Sequence, residues 1–290
     1  MDSGRLTIQQ AIRLAASRLA DAGIDTPMLD AEVLMRQILK IDRTRLFLRY
    51  PEPVADAEQE AFERVIARRL EGTPVAYLTG TREFMGLPFH VAPGVLIPRP
   101  DTEPLVEWAL GWLEDRLDAT IADIGTGSGA IAISVAAHLP ARFTGAVVAI
   151  DTSPDALAIA RHNAKVLLPQ ERLHQVTFIE GSLTEPIDQP IDLLLANLPY
   201  LTPKQIAENQ DLDAEPRLAL DGGADGLDLV RAVVADLPRI LTPHGAAGFE
   251  IDPSQANTVV ELLRTTLPDA KIAIIPDLAR FSRHVIASRS

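Results

Sequence analysis

The feature that most constrains the fold is a regular alternation of apolar β-like runs and helical segments that begins at residue 103. The β-like runs cover residues 120–124, 146–150, 175–180, 191–196 and 245–251, and the helical segments lie near residues 103–117, 129–139, 154–167, 226–241 and 253–266. This alternation is typical of an α/β fold with a doubly wound, Rossmann-like parallel sheet. Two final β-like runs, 271–275 and 282–288, predict an antiparallel C-terminal edge.

The residues before position 103 show two other patterns, one helical and one of β type. Residues 1–79 predict a small helical bundle. Its helices are expected over residues 7–22, from Pro27 onward and over residues 56–71. Residues 80–102 alternate in hydrophobicity between Gly and Pro residues, which indicates a β-hairpin linker. We therefore expect three parts, namely a helical domain at 1–79, a linker at 80–102 and an α/β domain at 103–290.

Composition limits the chemistry that this chain can perform. Its 290 residues, 47% of them apolar, are enough to form two hydrophobic cores. Cysteine is absent, which excludes disulfides and thiolate metal sites and fits a cytoplasmic location. The six histidines lack metal-ligand spacing, so no metal site is predicted. No apolar run reaches the roughly 18 residues of a membrane-spanning helix, so no membrane association is expected.

The acidic charge lies in the C-terminal two thirds of the chain. Residues 1–100 contain 13 Lys and Arg and 13 Asp and Glu, which leaves 27 − 13 = 14 and 40 − 13 = 27 for residues 101–290. A surface of this sign repels a phosphate backbone. We therefore expect no direct nucleic-acid partner for the α/β domain, whereas the neutral N-terminal part could bind a protein or an RNA.

A glycine-rich segment follows the first strand of the alternation. Residues 125–129, Gly125-Thr126-Gly127-Ser128-Gly129, form what we call the glycine loop. Glycines between a strand and a helix let a ligand approach the backbone and the N–H groups of the helix N-terminus. The third glycine comes one residue too early for the Gly-x-Gly-x-x-Gly pattern of dinucleotide sites, which favours a cofactor without a pyrophosphate. A tight turn without a ligand is the alternative.

An acidic residue, Asp151, ends the second strand 22 residues after Gly129. A carboxylate at this position can accept hydrogen bonds from both ribose hydroxyls of an adenosine moiety. The alternative is that Asp151 or Ser153 caps the following helix. After the third strand, Ser182 and Leu183 lie where an adenine base would be flanked in such a fold.

Asn197-Leu198-Pro199-Tyr200, which we call the Asn197 turn, follows the buried fourth strand. Polar and aromatic residues at the tip of a buried strand indicate a site. The Asn197 side-chain carbonyl and the Leu198 backbone carbonyl can accept two N–H groups of a planar nitrogen. Tyr200 can stack on the planar group, and Pro199 stiffens the turn. A strand-ending turn with a packed tyrosine is the alternative.

The glycine loop, the acid after the second strand and the Asn197 turn together resemble class I methyltransferases. These enzymes use S-adenosylmethionine, and some of them methylate planar nitrogens of adenine in DNA or RNA or of glutamine in proteins. Leu198 matches the rRNA adenine dimethyltransferases, whereas the glutamine enzymes usually have Asn-Pro-Pro-Tyr. By itself the Asn197 turn leaves adenine and glutamine open as substrates.

Longer segments resemble the PrmC/HemK family. They are residues 25–32, 74–80 continuing into 83–87, 96–103 (Leu-Ile-Pro-Arg-Pro-Asp-Thr-Glu) and 215–223 (Glu-Pro-Arg-Leu-Ala-Leu-Asp-Gly-Gly). The resemblance covers nearly the whole chain. It implies methylation of N5 of the glutamine in the Gly-Gly-Gln motif of class 1 peptide-chain release factors, with these release factors as protein partners. An RNA or DNA adenine N6-methyltransferase and a non-catalytic cofactor-binding scaffold are the alternatives.

The resemblance also implies roles for individual residues. The cofactor S-adenosyl-L-methionine would be bound by the glycine loop, Asp151, Ser182, Leu183 and Asn197, and the glutamine amide by Asn197, Leu198, Pro199 and Tyr200. Residues 182–183 lack the tryptophan often found in the family. Arg99 is expected either to shape the mouth of the pocket or to form an interface salt bridge.

Overall fold

The computed structural model describes residues 5–209, 212–277 and 279–289, so residues 1–4, 210–211, 278 and 290 of the predicted domains lie outside the described part. The chain forms two compact units, with the boundary between Gly80 and Thr81. Residues 81–102, predicted as a linker, group with the second unit. None of the helices in the described ranges combines the length and apolarity needed to cross a bilayer.

The first unit is helical, as predicted. Its helices are α1 (Ile8–Asp21), α2 (Pro27–Leu39), α3 (Arg43–Leu48), α4 (Asp56–Leu70) and α5 (Val75–Thr79). They enclose a separate core with Leu19, Met35 and Phe62 fully buried. Helices α3 and α5 were not predicted, because helices of five or six residues are too short to show a periodic apolar face. Helix α3 is instead started by the Asp42 side chain, which accepts a hydrogen bond from Arg45 N at 2.8 Å.

The predicted hairpin is present at the start of the second unit. Strands β1 (Thr81–Phe84) and β2 (Leu87–His90) pair antiparallel. Met85 and Gly86 between them both have positive φ, of 50° and 72°, which is the conformation of a tight two-residue hairpin. Phe84 and Phe89 are buried in the core of the second unit. The hairpin therefore packs as part of the α/β unit.

A seven-stranded sheet organises the second unit. Its strands are β3 (Thr120–Ile124), β4 (Ala146–Asp151), β5 (Val176–Glu180), β6 (Ile191–Ala196), β7 (Leu241–Glu250), β8 (Ala270–Pro276) and β9 (Ser282–Arg289). Their order is β5-β4-β3-β6-β7-β9-β8, with β3 to β7 parallel and both pairings of β9 antiparallel. This topology confirms the predicted doubly wound α/β fold and its antiparallel edge.

Helices cover both faces of the sheet and form two apolar cores. They are α6 (Glu103–Trp112), α7 (Ala130–His138), α8 (Pro154–Leu167), α11 (Asp228–Ile240) and α12 (Ala256–Thr266). The unit also contains two short helices, α9 (Gln170–Leu173) and α10 (Pro203–Glu208). The sheet order changes direction between β3 and β6, and ligands bind at the carboxyl edge of such a crossover. The glycine loop and the Asn197 turn follow these two strands.

Some predicted boundaries were wrong. Strand β7 begins at Leu241 rather than at residue 245, because Leu241 pairs with Ile191 before an irregularity in the ladder. Pro243, which cannot donate a backbone hydrogen bond, lies in that irregular stretch. Helix α6 ends at Trp112 rather than at residue 117, and Leu113 N closes its last turn on Ala109 and Gly111.

Candidate active site

A pocket of about 530 Å³ lies at the carboxyl edge of the sheet. Its size is within the usual range for small-molecule sites. Eight of the predicted site residues line it: Gly125, Gly127, Asp151, Ser182, Leu183, Asn197, Leu198 and Pro199. Within the described residues, the other predicted site residues, Thr126, Ser128, Gly129, Tyr200 and Arg99, lie outside this lining.

The glycine loop takes its shape from left-handed backbone conformations. Gly125, Gly127 and Gly129 have φ values of 72°, 56° and 84°, which glycine adopts without strain. Thr126 and Ser128 are buried. The Thr126 hydroxyl donates to Asp123 at 2.6 Å and the Ser128 carbonyl accepts from Asn163 at 2.9 Å. These two residues hold the loop in place, while Gly125 and Gly127 face the pocket.

Asp123 is a buried carboxylate that precedes the glycine loop and that sequence reasoning missed. Its Oδ2 accepts hydrogen bonds from the Thr126 hydroxyl and from Ala132 N, at 2.6 and 3.0 Å. Its Oδ1 has no hydrogen-bond partner among the residues that the structure describes. Burial raises the pKa of Asp123 to about 6, and the nearby Asp151 charge adds to this effect. The sequence signal was an acid at the end of an otherwise apolar strand.

Asp151 joins the glycine loop to the next strand. Gly127 N donates to its Oδ2 at 2.8 Å and Ser153 N donates to its Oδ1 at 2.9 Å. The capping of α8 falls to Ser153, whose hydroxyl accepts from Ala156 N at 3.2 Å. A carboxylate oxygen has two acceptor sites, so each oxygen of Asp151 keeps one for a ligand. The structural contact and a ligand contact are therefore compatible.

The Asn197 turn places its first three residues against the pocket. The Asn197 Nδ2 donates to the Thr102 hydroxyl at 3.0 Å, so this end of the amide is used within the protein. Leu198 is buried, and its side chain packs closely on Gly125, where an added Cβ would lie 3.1 Å from Leu198 Cδ2. Thr102 was not predicted as a site residue, because a contact spanning 95 residues leaves no local signal.

Tyr200 makes contacts away from the pocket lining. Its hydroxyl donates to Glu250 Oε1 at 3.3 Å, and its backbone carbonyl accepts from Gln255 Nε2 at 2.9 Å. Burial, and then the Glu250 charge, raise the pKa of Tyr200, so the phenol stays protonated at neutral pH. In this conformation Tyr200 connects the Asn197 turn to Glu250 and Gln255.

Arg99 is held by an ion pair with Glu215 within the second unit, so this pair is not the salt bridge between domains that was considered from sequence. The Glu215 side chain is buried and also accepts a hydrogen bond from Ile97 N at 2.9 Å. Pro216, Leu218 and other residues after Glu215 form a further wall of the pocket. Segments 96–103 and 215–223 are therefore joined next to the site.

Comparison with known proteins identifies the class of this chain. Residues 116–245 match the family model described as a methyltransferase domain, and residues 10–80 match the PrmC N-terminal domain. The chain is similar in fold to a solved methyltransferase from Pyrococcus furiosus, at 17% identity and a TM-score of 0.50, over 79% of this chain and 99% of that one. The fold is therefore that of a methyltransferase.

Two full-length relatives define the family. A release factor glutamine methyltransferase of Moorella thermoacetica is 41% identical over 98% of this chain and 99% of its own length. That of Geobacter sulfurreducens is 39% identical over 90% of this chain and 89% of its own length. The chain belongs to the release factor glutamine methyltransferase family, which confirms the predicted family.

Proposed function

We propose that this protein transfers a methyl group from S-adenosyl-L-methionine to N5 of the glutamine in the Gly-Gly-Gln motif of class 1 peptide-chain release factors. The observation that carries the proposal is the convergence of the glycine loop, Asp151 and the Asn197 turn on one pocket. Membership of the family supports glutamine as the acceptor.

The pocket has properties that fit the cofactor. Asp123 and Asp151 are close enough for their charges to interact, so the site favours a cationic ligand. Gly125 and Gly127 would hold the methionine part, Asp151 the ribose hydroxyls, and Ser182 and Leu183 the adenine. When bound, S-adenosyl-L-methionine supplies an electrophilic methyl group on a positively charged sulfonium.

The Asn197 turn would bind the acceptor. An amide nitrogen is a poor nucleophile because its lone pair is delocalised, so it needs orientation rather than a strong base. The Asn197 Oδ1 and the Leu198 backbone carbonyl would accept its two N–H groups. The new C–N bond forms as the C–S bond breaks, and the methylated nitrogen then releases a proton to water. Leucine at position 198 provides the same backbone carbonyl as proline, so we expect activity to be retained.

The two units would have different tasks in this reaction. The helical domain, residues 1–79, would bind the release factor outside the Gly-Gly-Gln motif, and residues 103–290 would carry out the transfer. A tripeptide offers little surface for selecting one glutamine among many, so specificity needs contacts elsewhere on the partner.

Mass spectrometry of the Gly-Gly-Gln tryptic peptide tests the proposal. After incubation of the release factor with enzyme and cofactor, we expect one added methyl group on the glutamine side chain. A release factor with glutamate in place of that glutamine is the matched control and should gain none. Transfer of radiolabel from S-adenosyl-L-methionine to RNA instead would support the adenine alternative. Cofactor binding without methyl transfer to any release factor would support a non-catalytic scaffold. Either result would reject the proposal.

A further inference from the structure

Thr102 provides a fixed polar contact for the Asn197 side chain. It closes a 3-10 turn, residues 100–102, directly before α6, and it is 4% exposed. Its hydroxyl oxygen accepts the hydrogen bond from Asn197 Nδ2 at 3.0 Å. Within the described residues, Asn197 Oδ1 takes part in no hydrogen bond. Oδ1 is therefore an acceptor that is left for a ligand.

The turn that carries Thr102 is held on both sides. On one side, the buried Glu215 carboxylate binds Ile97 N and the Arg99 guanidinium. Thr102 N in turn donates to Arg99 O at 3.1 Å. On the other side, Glu103 Oε1 accepts from Met85 N at 2.8 Å. These contacts restrict the position of the Thr102 hydroxyl before any ligand binds.

The two ends of an asparagine amide have almost the same shape but opposite hydrogen-bonding character. Rotation of the amide by half a turn would exchange Oδ1 and Nδ2 in the pocket. The N–H groups of an acceptor amide need an oxygen, and an NH₂ group in that place would oppose them donor to donor. A threonine hydroxyl can donate or accept, so it does not by itself choose between the two orientations. In the structure it accepts from Nδ2, and this contact holds the side chain in the orientation with Oδ1 available.

We propose that Thr102 is a positioning residue that fixes the Asn197 amide with its oxygen free for the acceptor nitrogen. This inference rests on the proposed function and adds to it a residue outside the Asn197 turn. Thr102 acts through Asn197 and leaves the cofactor contacts at Gly127 and Asp151 unchanged.

Two variants of similar size test the role of the hydroxyl. Thr102→Val removes the hydroxyl and keeps the branched shape, whereas Thr102→Ser keeps the hydroxyl and removes the methyl group. We expect Thr102→Val to lower kcat and kcat/KM for the release factor together by about 10- to 100-fold, because misplacement of a reacting group by about 1 Å has an effect of this size. Thr102→Ser should stay within about threefold of wild type, and cofactor affinity should be unchanged in both.

The wild-type enzyme in the same assay separates this inference from the proposed function. Absence of wild-type transfer to the Gly-Gly-Gln glutamine would overturn the proposed function, and with it the inference that rests on it. If wild type is active, a Thr102→Val enzyme with wild-type kcat would overturn the positioning role alone. Equal losses in both variants, or a parallel loss of cofactor affinity, would also overturn it, because such effects indicate a packing role. Rescue by Thr102→Ser at unchanged cofactor affinity would support it.

Discussion

The glycine loop and the Asn197 turn lie at the same edge of the sheet but are held in different ways. Asp123, Asp151 and Asn163, which hydrogen-bond to the glycine loop, lie at most 35 residues from the groups that they bind. Thr102, Glu250 and Gln255, which hydrogen-bond to the Asn197 turn, are at least 50 positions away. The difference shows that the hydrogen-bond partners of a backbone loop can come from one part of the chain, whereas the orientation of a side chain requires the completed fold.

The long-range hydrogen bonds of the Asn197 turn come from three residues. Thr102 binds the Asn197 side chain, Glu250 binds the Tyr200 hydroxyl, and Gln255 binds the Tyr200 carbonyl. Gln255 Nε2 also donates to Asp225 O at 3.1 Å, which joins the turn to the loop before α11. If the two regions have separate roles, changes in them should affect different measured quantities.

The largest effect is expected for Asn197→Ala. Removal of one positioned hydrogen-bonding group at a reacting centre lowers kcat by about 10²- to 10³-fold. Cofactor affinity should stay close to that of wild type. Transfer kinetics measure kcat, and calorimetry measures the cofactor affinity. Asn257→Ala, an exposed change on α12, is the control and should have no effect. Near wild-type turnover of Asn197→Ala would contradict a role of the turn in positioning the acceptor.

Asp123→Asn tests the charge beneath the glycine loop through stability. The native pKa of Asp123 is raised from 3.8 to about 6. The stability that the protonated Asp123 carboxyl contributes to the folded state is therefore fully present below pH 3.8 and is lost as pH rises through 6. The ionised form therefore lowers the free energy of unfolding at pH 7 by about 3 kcal/mol. Asparagine has the same shape and no charge. We expect the ligand-free variant to be more stable at pH 7 in urea unfolding, by at most this amount, because the new amide nitrogen replaces a buried Oδ1 that has no hydrogen-bond partner among the described residues.

The pH dependence and the ligand provide the checks on this prediction. Between pH 4 and 6.5, stability should decline with rising pH by about 2 kcal/mol less in Asp123→Asn than in wild type. Cofactor affinity should fall, because a cationic ligand is stabilised by the carboxylate. Identical pH profiles for the two proteins would show that the native pKa is not raised.

A smaller effect, confined to cofactor binding, is expected for Asp151→Asn. Asparagine offers one acceptor oxygen, so it cannot bind both Gly127 N and Ser153 N and also accept two ribose hydroxyls. The cofactor dissociation constant should rise about 10- to 100-fold, the range for hydrogen bonds to charged groups. Asp155→Asn changes the charge equally at the pocket lining without touching these contacts. Equal weakening by both variants would assign the effect to net charge.

The smallest effect is expected for Gly226→Ala, which tests the support behind the Asn197 turn. Gly226 has φ of 76°, and an added Cβ would lie 2.1 Å from Tyr200 O. Gly86 has a similar φ of 72°, and a Cβ added there would have no atom within 4 Å. Gly86→Ala therefore has the same backbone strain without the clash. We expect Gly226→Ala to be about 1–2 kcal/mol less stable than Gly86→Ala and to turn over more slowly. Equal stability and turnover would show that this contact is unimportant.

The sequence predicted the architecture well because strands buried on both faces are continuous apolar runs. Residues 191–196, for example, were predicted with the observed bounds. It also located the glycine loop, because glycine at positive φ is a local requirement. It could not predict that Thr102 binds Asn197 or that Tyr200 turns to Glu250, since these partners meet through tertiary packing. Segments 96–103 and 215–223 were noticed for their family resemblance, and the Arg99–Glu215 pair supplies the physical link between them.

The central claim is that the glycine loop with Asp151 binds the methyl donor while the Asn197 turn positions the acceptor. Single-turnover methylation of the release factor at saturating cofactor tests it most directly, with Asp151→Asn and Asn197→Ala measured side by side. We predict that saturating cofactor restores Asp151→Asn to within about threefold of the wild-type rate and leaves Asn197→Ala slow by about 10²-fold or more. Recovery of both variants, or of neither, would contradict the separation of roles.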